Sequence, residues 1–397
     1  MNRVKLMPAT AMGIDRLREG EWKKFKSRNL LLLANQASVD RRLEPSWSVI
    51  AQTLPGRLKG LLGPQHGFGG EDQDNMVETP HARDEETGLP VYSLYAETRA
   101  PLPFMLEGVD CLMVDLQDAG TRVYTFASTL LNCMRAAADA GVGLAVLDRP
   151  NPLGGRVIEG NLLQEAFFSF VGPARLPMRH GLTMGEMALL FKEAFSIDCD
   201  LEIIPMGGWE RRMLWPDTGL RWLMPSPNMP LFETALVYPG QVVLEGTNLS
   251  EGRGTCRPFE IFGAPYIDRK AVLEALSPAC RQGIRLQPFT FRPTFNKWHH
   301  RLCKGFMIHV LDPGLYEPYL TSLALIQCIA KVHPGDFAWK EPPYEYEYKK
   351  KPIDLIMGDD EFRKDLENGI PVNRLKERWH PDLSDYGEWR RPFLLYA

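Results

Sequence analysis

Four segments of the chain gather residue types that can move protons or hold a polar ligand. The first is Gly63-Pro64-Gln65-His66-Gly67-Phe68-Gly69-Gly70-Glu71-Asp72-Gln73-Asp74. Its glycines let backbone approach a ligand closely, and His66 with Glu71, Asp72 and Asp74 offers hydrogen bonding and proton transfer. The plainer alternative is a polar turn with a solvated acidic face. The second, Val114 to Tyr124, carries Asp115, Gln117, Asp118, Arg122 and Tyr124. Either some of these touch a substrate, or Asp115 or Asp118 caps the following helix and Arg122 pairs with it. In the third, Leu147-Asp148-Arg149-Pro150-Asn151-Pro152, two prolines fix a loop that presents Asp148, Arg149 and Asn151. They serve either to position a substrate or to form an internal ion pair between Asp148 and Arg149 or Arg122. The fourth runs from Leu244 to Thr255 and sets Glu245, Asn248, Glu251 and Arg253 among glycines. Two carboxylates there suit general acid or base work at a domain cleft, and a hairpin or bulge with solvent-facing acids is the competing reading.

Weaker signals lie elsewhere. His180 precedes a helix, where it either binds an anion or closes a turn. Tyr344-Glu345-Tyr346-Glu347-Tyr348 alternates aromatic and acidic residues; an exposed edge strand is the first reading and a sugar-stacking strand the second. Gly141-Val142-Gly143 precedes a strand instead of following one, so it cannot cradle a phosphate, and no Walker loop, GxSxG elbow or HExxH pair is present.

The elements that must position these residues are legible as short apolar runs. Residues 30–35, 58–62, 91–95, 111–115, 143–148 and 201–205 read as buried parallel strands. Between them, residues 126–140 repeat Phe126, Leu130, Met134 and Ala137 at helical spacing before Gly141. Residues 183–195 open with Thr183 and Glu186, a capping box. This alternation predicts an α/β fold: a Rossmann-like doubly wound parallel sheet, with a second, smaller α/β domain. Ligands of such sheets collect outside the carboxyl ends of the strands, where the first three segments fall. From about Trp209 a stretch rich in proline and tryptophan reads as a crossing segment. The boundary is therefore set near Asn228, giving a site-bearing domain over residues 1–228 and a smaller domain over 229–397 that closes the cleft.

Composition narrows the partners. Lysine and arginine number 46 against 50 acidic residues, a net charge of -4 that offers no basic field for nucleic acid. Seven scattered cysteines, an odd number without a CxxC pair, read as buried thiols rather than a disulfide framework or a zinc site. The stretch Met1 to Trp22 lacks the apolar core of a secretion signal and no run spans a bilayer, so a cytoplasmic protein is expected, with a small-molecule partner and no membrane contact. No metal or organic cofactor is called for. Oligomeric state is not legible.

Read together, the segments resemble the exo-acting β-N-acetylmuramidase family. The resemblance is carried by GPQHGF, TGLPVYSLY at 87–95, DLQDAGTRVYT at 115–125, LDRPNP at 147–152, MRHGLT at 178–183, SPNMP at 226–230, EGTNLSEGRGT at 245–255 and PIDLIMG at 352–358. It implies a Rossmann-like amino-terminal domain, a smaller carboxyl-terminal one, and a cleft receiving a terminal N-acetylmuramic acid of peptidoglycan fragments. The implied reaction is hydrolysis from the non-reducing end. This chain departs from the family at one position. The pattern reads Gly-Pro-Glu-His-Gly, with the glutamate as suspected catalytic carboxylate, whereas Gln65 stands here. An amide cannot exchange that proton at neutral pH.

Three consequences are open: the work has moved to another carboxylate, the substrate differs, or the protein binds sugar without cleaving it. The first is favoured. Asp118 and Glu245 are the leading carboxylates, and Glu71 and Glu251 the reserves. Gln65, His66, Asp115, Arg122, Tyr124, Asp148, His180, Asn228 and Asn248 are expected to contact substrate, and Arg253 or Arg149 to take the lactyl carboxylate through paired hydrogen bonds. Gln65 or Asn248 would orient the substrate's own acetamide if that group attacks.

Overall fold

A computed structural model of the chain describes residues 10–74 and 76–397. The first nine residues of the stretch read above for a secretion signal lie outside the described residues. The first half contains β1 Leu30–Leu33, β2 Leu58–Gly63, β3 Ala82–Arg83, β4 Pro90–Ser93, β5 Cys111–Val114, β6 Gly143–Leu147, β7 Glu159–Leu162, β8 Pro177–Arg179 and β9 Leu201–Ile204. Seven of these form one sheet in the order β3-β4-β2-β1-β5-β6-β9. All neighbours in it are parallel except β3 on β4. Counted along the chain without the antiparallel edge β3, the parallel strands run 3-2-1-4-5-6, the Rossmann order.

The strand residues explain this placement. In β1 every side chain is buried, and alternate leucines serve opposite faces. Leu31 and Leu33 pack with Phe126, Leu130 and Met134 of the helix Phe126–Ala140, whereas Leu30 and Leu32 pack with Ile14, Leu17, Val49 and Ile50. Gly141 ends that helix in the left-handed conformation, its N–H reaching the carbonyls of Ala137 and Ala138. The helix Met184–Ala194 carries the expected capping box of Thr183 and Glu186. The small hairpin of β7 and β8, not expected from the sequence, bears few apolar residues and no period to betray it.

The second half builds an antiparallel sheet of β10 Ile261–Ala264, β11 Ile284–Phe291 and β12 Cys303–Val310, in the order β10-β12-β11. The helices Phe232–Gln241 and Pro318–Val332 pack beside it, and one hydrophobic core runs unbroken from Phe126 and Leu130 through Tyr238 to Phe262 and Leu323. Arg122, expected to contact substrate, instead ties the halves together. It is wholly buried, and its guanidinium donates to the carbonyls of Asn161 and Leu176 at 2.8 Å and of Ile356 and Met357 at 2.9 Å. The chain end returns to the first sheet, where Tyr396 donates to Asp148 at 2.6 Å and Arg211 N–H to the Ala397 carbonyl at 2.7 Å.

All seven cysteines are free thiols; five are buried, Cys328 is half-buried and Cys256 is exposed. Among the described residues no helix is long and apolar enough to cross a membrane.

Candidate active site

At the point where the Rossmann order reverses, between β1 and β5, the crevice that holds dinucleotides in other proteins is filled. Asp115, fully buried, takes the Arg149 guanidinium at 2.5 and 2.8 Å and the hydroxyl of Ser46. Arg149 also donates to the Val39 carbonyl at 2.8 Å. The two residues expected at a substrate are thus a closed internal pair, and Arg149 has no fork left for a lactyl carboxylate. Asp148 is likewise spent on structure: it accepts from Thr183 Oγ1, Gly185 N–H and Tyr396, anchoring the start of the helix Met184–Ala194. Burial pushes its carboxyl up to about 6.

The open crevice lies further along the sheet. A narrow pocket of about 30 Å³ is lined by Gln65 and His66 beyond β2, Tyr124 and Thr125 before the helix Phe126–Ala140, Ser226 and Asn228 of the crossing segment, Glu245 and Arg253, and Tyr344 and Glu345. Tyr238 and Phe259 complete its aromatic wall, with ring centroids 4.8 Å apart. Of the residues singled out from the sequence, it unites Gln65, His66, Tyr124, Asn228, Glu245 and Arg253. Two wider grooves beside the three-stranded sheet are lined by Arg269, Lys270, Arg281 and Lys304 among others, and none of the four segments reaches them.

The loop after β2 is shaped by Gly63, where a side chain would meet the Phe68 backbone at 2.9 Å. His66 adopts φ 75°, which turns its ring so that Nδ1 donates to the Asp72 carbonyl at 2.7 Å. That bond fixes the tautomer and leaves Nε2 as an acceptor. Burial, aided by the nearby Arg253 cation, lowers its pKa to about 4, so the ring is neutral at physiological pH. Gln65 is fully engaged: its carbonyl oxygen accepts from Thr125 Oγ1 at 2.7 Å, and its amide donates to Tyr95 at 3.1 Å and to Glu345 at 3.3 Å. It cannot orient a substrate acetamide as well.

The fourth segment is neither hairpin nor solvent-facing. Glu245 ends a 3-10 turn, Val242–Gly246, and is buried with Arg253 at 2.7 Å on one oxygen and Tyr344 at 2.6 Å on the other. Burial opposes its charge, but Arg253, the Tyr344 hydroxyl and Lys297 outweigh it, and its carboxyl sits below the usual range. Arg253 is brought inward by Gly252, which has φ 82° and whose Cβ would strike the Ile261 carbonyl at 2.4 Å. Its Nη1 is buried without a hydrogen-bond partner among the described residues. Glu251 stands behind it, buried and ion-paired with Lys297 at 2.8 Å and Arg253 at 3.4 Å, a structural counter-charge.

The remaining candidates lie elsewhere. Asp118 is buried outside the pocket, accepting from Gly120 N–H at 2.6 Å and facing His180 Nε2 at 3.3 Å. His180 is itself wholly buried, and its Nδ1 accepts from Leu182 N–H, so it closes a turn rather than binding an anion. Asn248 is used up by the Asp336 carbonyl and the Tyr266 hydroxyl. Glu71 is exposed, its carboxylate lying against Gly67 and Gly69.

Sequence reasoning gives Glu345, Tyr344 and Tyr95 no place among the site residues, although Tyr95 follows a strand end and the run 344–348 reads there as an edge or sugar-stacking strand. The run 344–348 is not an edge strand: Tyr344 and Glu347 bracket a tight turn, and Tyr344 and Glu345 are buried. Glu345 accepts from Tyr95 at 2.7 Å and from Gln65, without a cation bonded to it among the described residues. Burial raises its pKa, the Glu245 charge adds to the rise, and the Tyr95 and Gln65 bonds only partly offset it.

The comparisons with known proteins agree in direction. The model of the exo-beta-N-acetylmuramidase NamZ amino-terminal domain matches residues 30–233, and that of the carboxyl-terminal domain matches residues 236–396. A peptidoglycan beta-N-acetylmuramidase NamZ of Bacillus subtilis is 39% identical over 395 residues, covering 100% of this chain and 93% of that protein. A crystal structure of a DUF1343 family protein from Bacteroides fragilis is 30% identical, with a TM-score of 0.87 over 98% of this chain and 100% of the other. A second from the same organism, 24% identical with a TM-score of 0.77 over 98% and 99% of the two chains, shares the fold. The chain belongs to the exo-beta-N-acetylmuramidase NamZ family.

Proposed function

We propose that the protein is a glycoside hydrolase that releases terminal N-acetylmuramic acid from the non-reducing end of peptidoglycan fragments. One observation carries the reading: two glutamates, Glu245 and Glu345, meet Gln65 and His66 across the junction of the two domains in surroundings that push their protons in opposite directions. Glycoside cleavage needs such a division between a carboxylic acid and a carboxylate. The relative from Bacillus subtilis, named for peptidoglycan beta-N-acetylmuramidase activity, supports the substrate class.

In this assignment the Glu245 carboxylate faces the sugar and stabilises positive charge at its anomeric carbon. His66 Nε2 accepts from a sugar hydroxyl or the acetamide N–H. The free Nη1 of Arg253 takes the lactyl carboxylate, a charge-assisted bond that N-acetylglucosamine cannot make. Tyr124 and Tyr238 give the ring an apolar wall. The reading carries with it a cytoplasmic role in recycling wall fragments, checked by locating a tagged full-length chain in cell fractions. The activity is tested by incubating the protein with a chromogenic N-acetylmuramic acid glycoside beside other N-acetylhexosaminides. Release from the muramic acid compound is expected; saturable binding without release from any would make the protein a sugar-binding module.

A further inference from the structure

We infer that Glu345 is the acid that protonates the leaving oxygen, held by Tyr95 and Gln65 and aimed by a left-handed turn; the inference rests on the glycosidase reading above. The backbone is the first support. Glu345 and Tyr346 are consecutive non-glycine residues at φ 44° and 66°, in a two-residue turn closed by Tyr344 and Glu347 through hydrogen bonds of 3.0 and 2.9 Å. Glycine or asparagine is the usual choice there, and strained backbone concentrates where a side chain must be aimed. Strain here delivers Tyr344 to Glu245 and Glu345 into the pocket beside it.

The second support is the contrast between the buried glutamates. Glu245 and Glu251 are each hydrogen-bonded to a cation, Arg253 or Lys297, whereas the bonds to Glu345 come from the neutral Tyr95 hydroxyl and Gln65 amide. Those neutral partners fix the carboxyl without holding it ionised. The charges that face it are Glu245 and Arg253 from the fourth segment. Arg99, over the Tyr95 and Tyr346 rings at 4.0 and 4.2 Å, stacks on its supports. His66, beside Gln65 on its loop, is neutral, and Glu71, Asp72 and Asp74 further along that loop do not line the pocket. With Gln65 an amide, that loop puts no carboxylate into the pocket among the described residues.

In the step, the bond from the anomeric carbon to the leaving oxygen breaks, its electron pair stays on that oxygen, and the oxygen takes the proton of Glu345. A water oxygen then bonds to the anomeric carbon and gives up one proton, which restores Glu345. One water is consumed and no other reactant is needed.

The test compares the parent with Glu345→Gln on two substrates: the 4-nitrophenyl glycoside of N-acetylmuramic acid, whose leaving group needs no proton, and the N-acetylmuramyl–N-acetylglucosamine disaccharide, whose leaving sugar does. The variant should lose about 10²- to 10⁴-fold in kcat on the disaccharide and less than about tenfold on the aryl glycoside. Equal losses on both would overturn the assignment and leave the glycosidase reading intact. A parent that cleaves neither would overturn both. Should Glu345→Gln fail to fold by circular dichroism, Tyr95→Phe provides a second reading. Removing a donor to the ionised carboxyl should move the alkaline limb of the kcat/KM profile upward, and an unmoved limb would refute the role.

Discussion

Place in the fold, more than burial, separates the charged residues that can meet a ligand from those that cannot. Asp118 and Glu245 are both buried, but only Glu245 lines the pocket, although both looked equally catalytic in the sequence. Asp118→Asn should leave kcat on a muramic acid glycoside within about threefold of the parent, while Glu245→Gln should lower it about 10²- to 10³-fold, the scale of removing a preorganised charge. Steady-state kinetics on folded protein distinguish the two. Arg253 bears on specificity. Arg253→Lys keeps a cation for Glu245 but loses the planar fork, so KM for the muramic acid glycoside should rise about tenfold, with kcat less affected. An N-acetylglucosamine glycoside, lacking the lactyl carboxylate, should bind equally weakly to both proteins, and inhibition constants of that compound check the point.

Among elements, the helix Pro318–Val332 depends on a buried carboxyl. Glu159 of β7 accepts from the N–H groups of Tyr319 and Leu320 at 3.0 and 3.1 Å, at the positive end of the helix. Burial nonetheless raises its pKa from 4.5 to about 7. The folded state therefore holds this proton more tightly than the unfolded chain does. The stability it contributes is full below pH 4.5 and is lost as pH rises through about 7, on the order of 3 kcal/mol. Glu159→Gln keeps the acceptor oxygen and removes the titration. The parent's advantage in denaturant midpoint over this variant should shrink between pH 5 and about pH 8, and a constant difference would contradict the assignment. The turn at Glu345 shows the limit of period-based reading: alternation of Tyr and Glu over 344–348 has the period of a strand, yet two positive φ values make it a turn.

For the molecule as a whole, the two halves share one core, and Arg122 is the polar tie between β7, β8 and the segment at 356–357. Arg122→Met takes a donor from four carbonyls, of which Leu176 keeps the Leu163 N–H and Met357 the Asn161 amide. It should cost about 3 kcal/mol or more while KM of the protein that remains folded stays unchanged. Urea unfolding in a single transition at a lower midpoint is the expected trace; a variant of parental stability and raised KM would return Arg122 to the substrate. The sequence by itself determined the parallel sheet, because short apolar runs such as β1 and β5, buried on both faces and alternating with helical patterns, leave little other choice, and with it the general location of the site beyond strand ends. It also held the motifs that mark the family. It could not tell Asp115, Arg122, Asp148 and Arg149 from ligand-binding residues, since a charge that meets its partner inside the fold and one that waits for a ligand have the same letter. That distinction, and the convergence of Glu345 with Gln65 and Tyr95 from positions 280 and 250 residues away, was decided only by tertiary packing. Contacts of such range leave no local pattern in the chain that makes them.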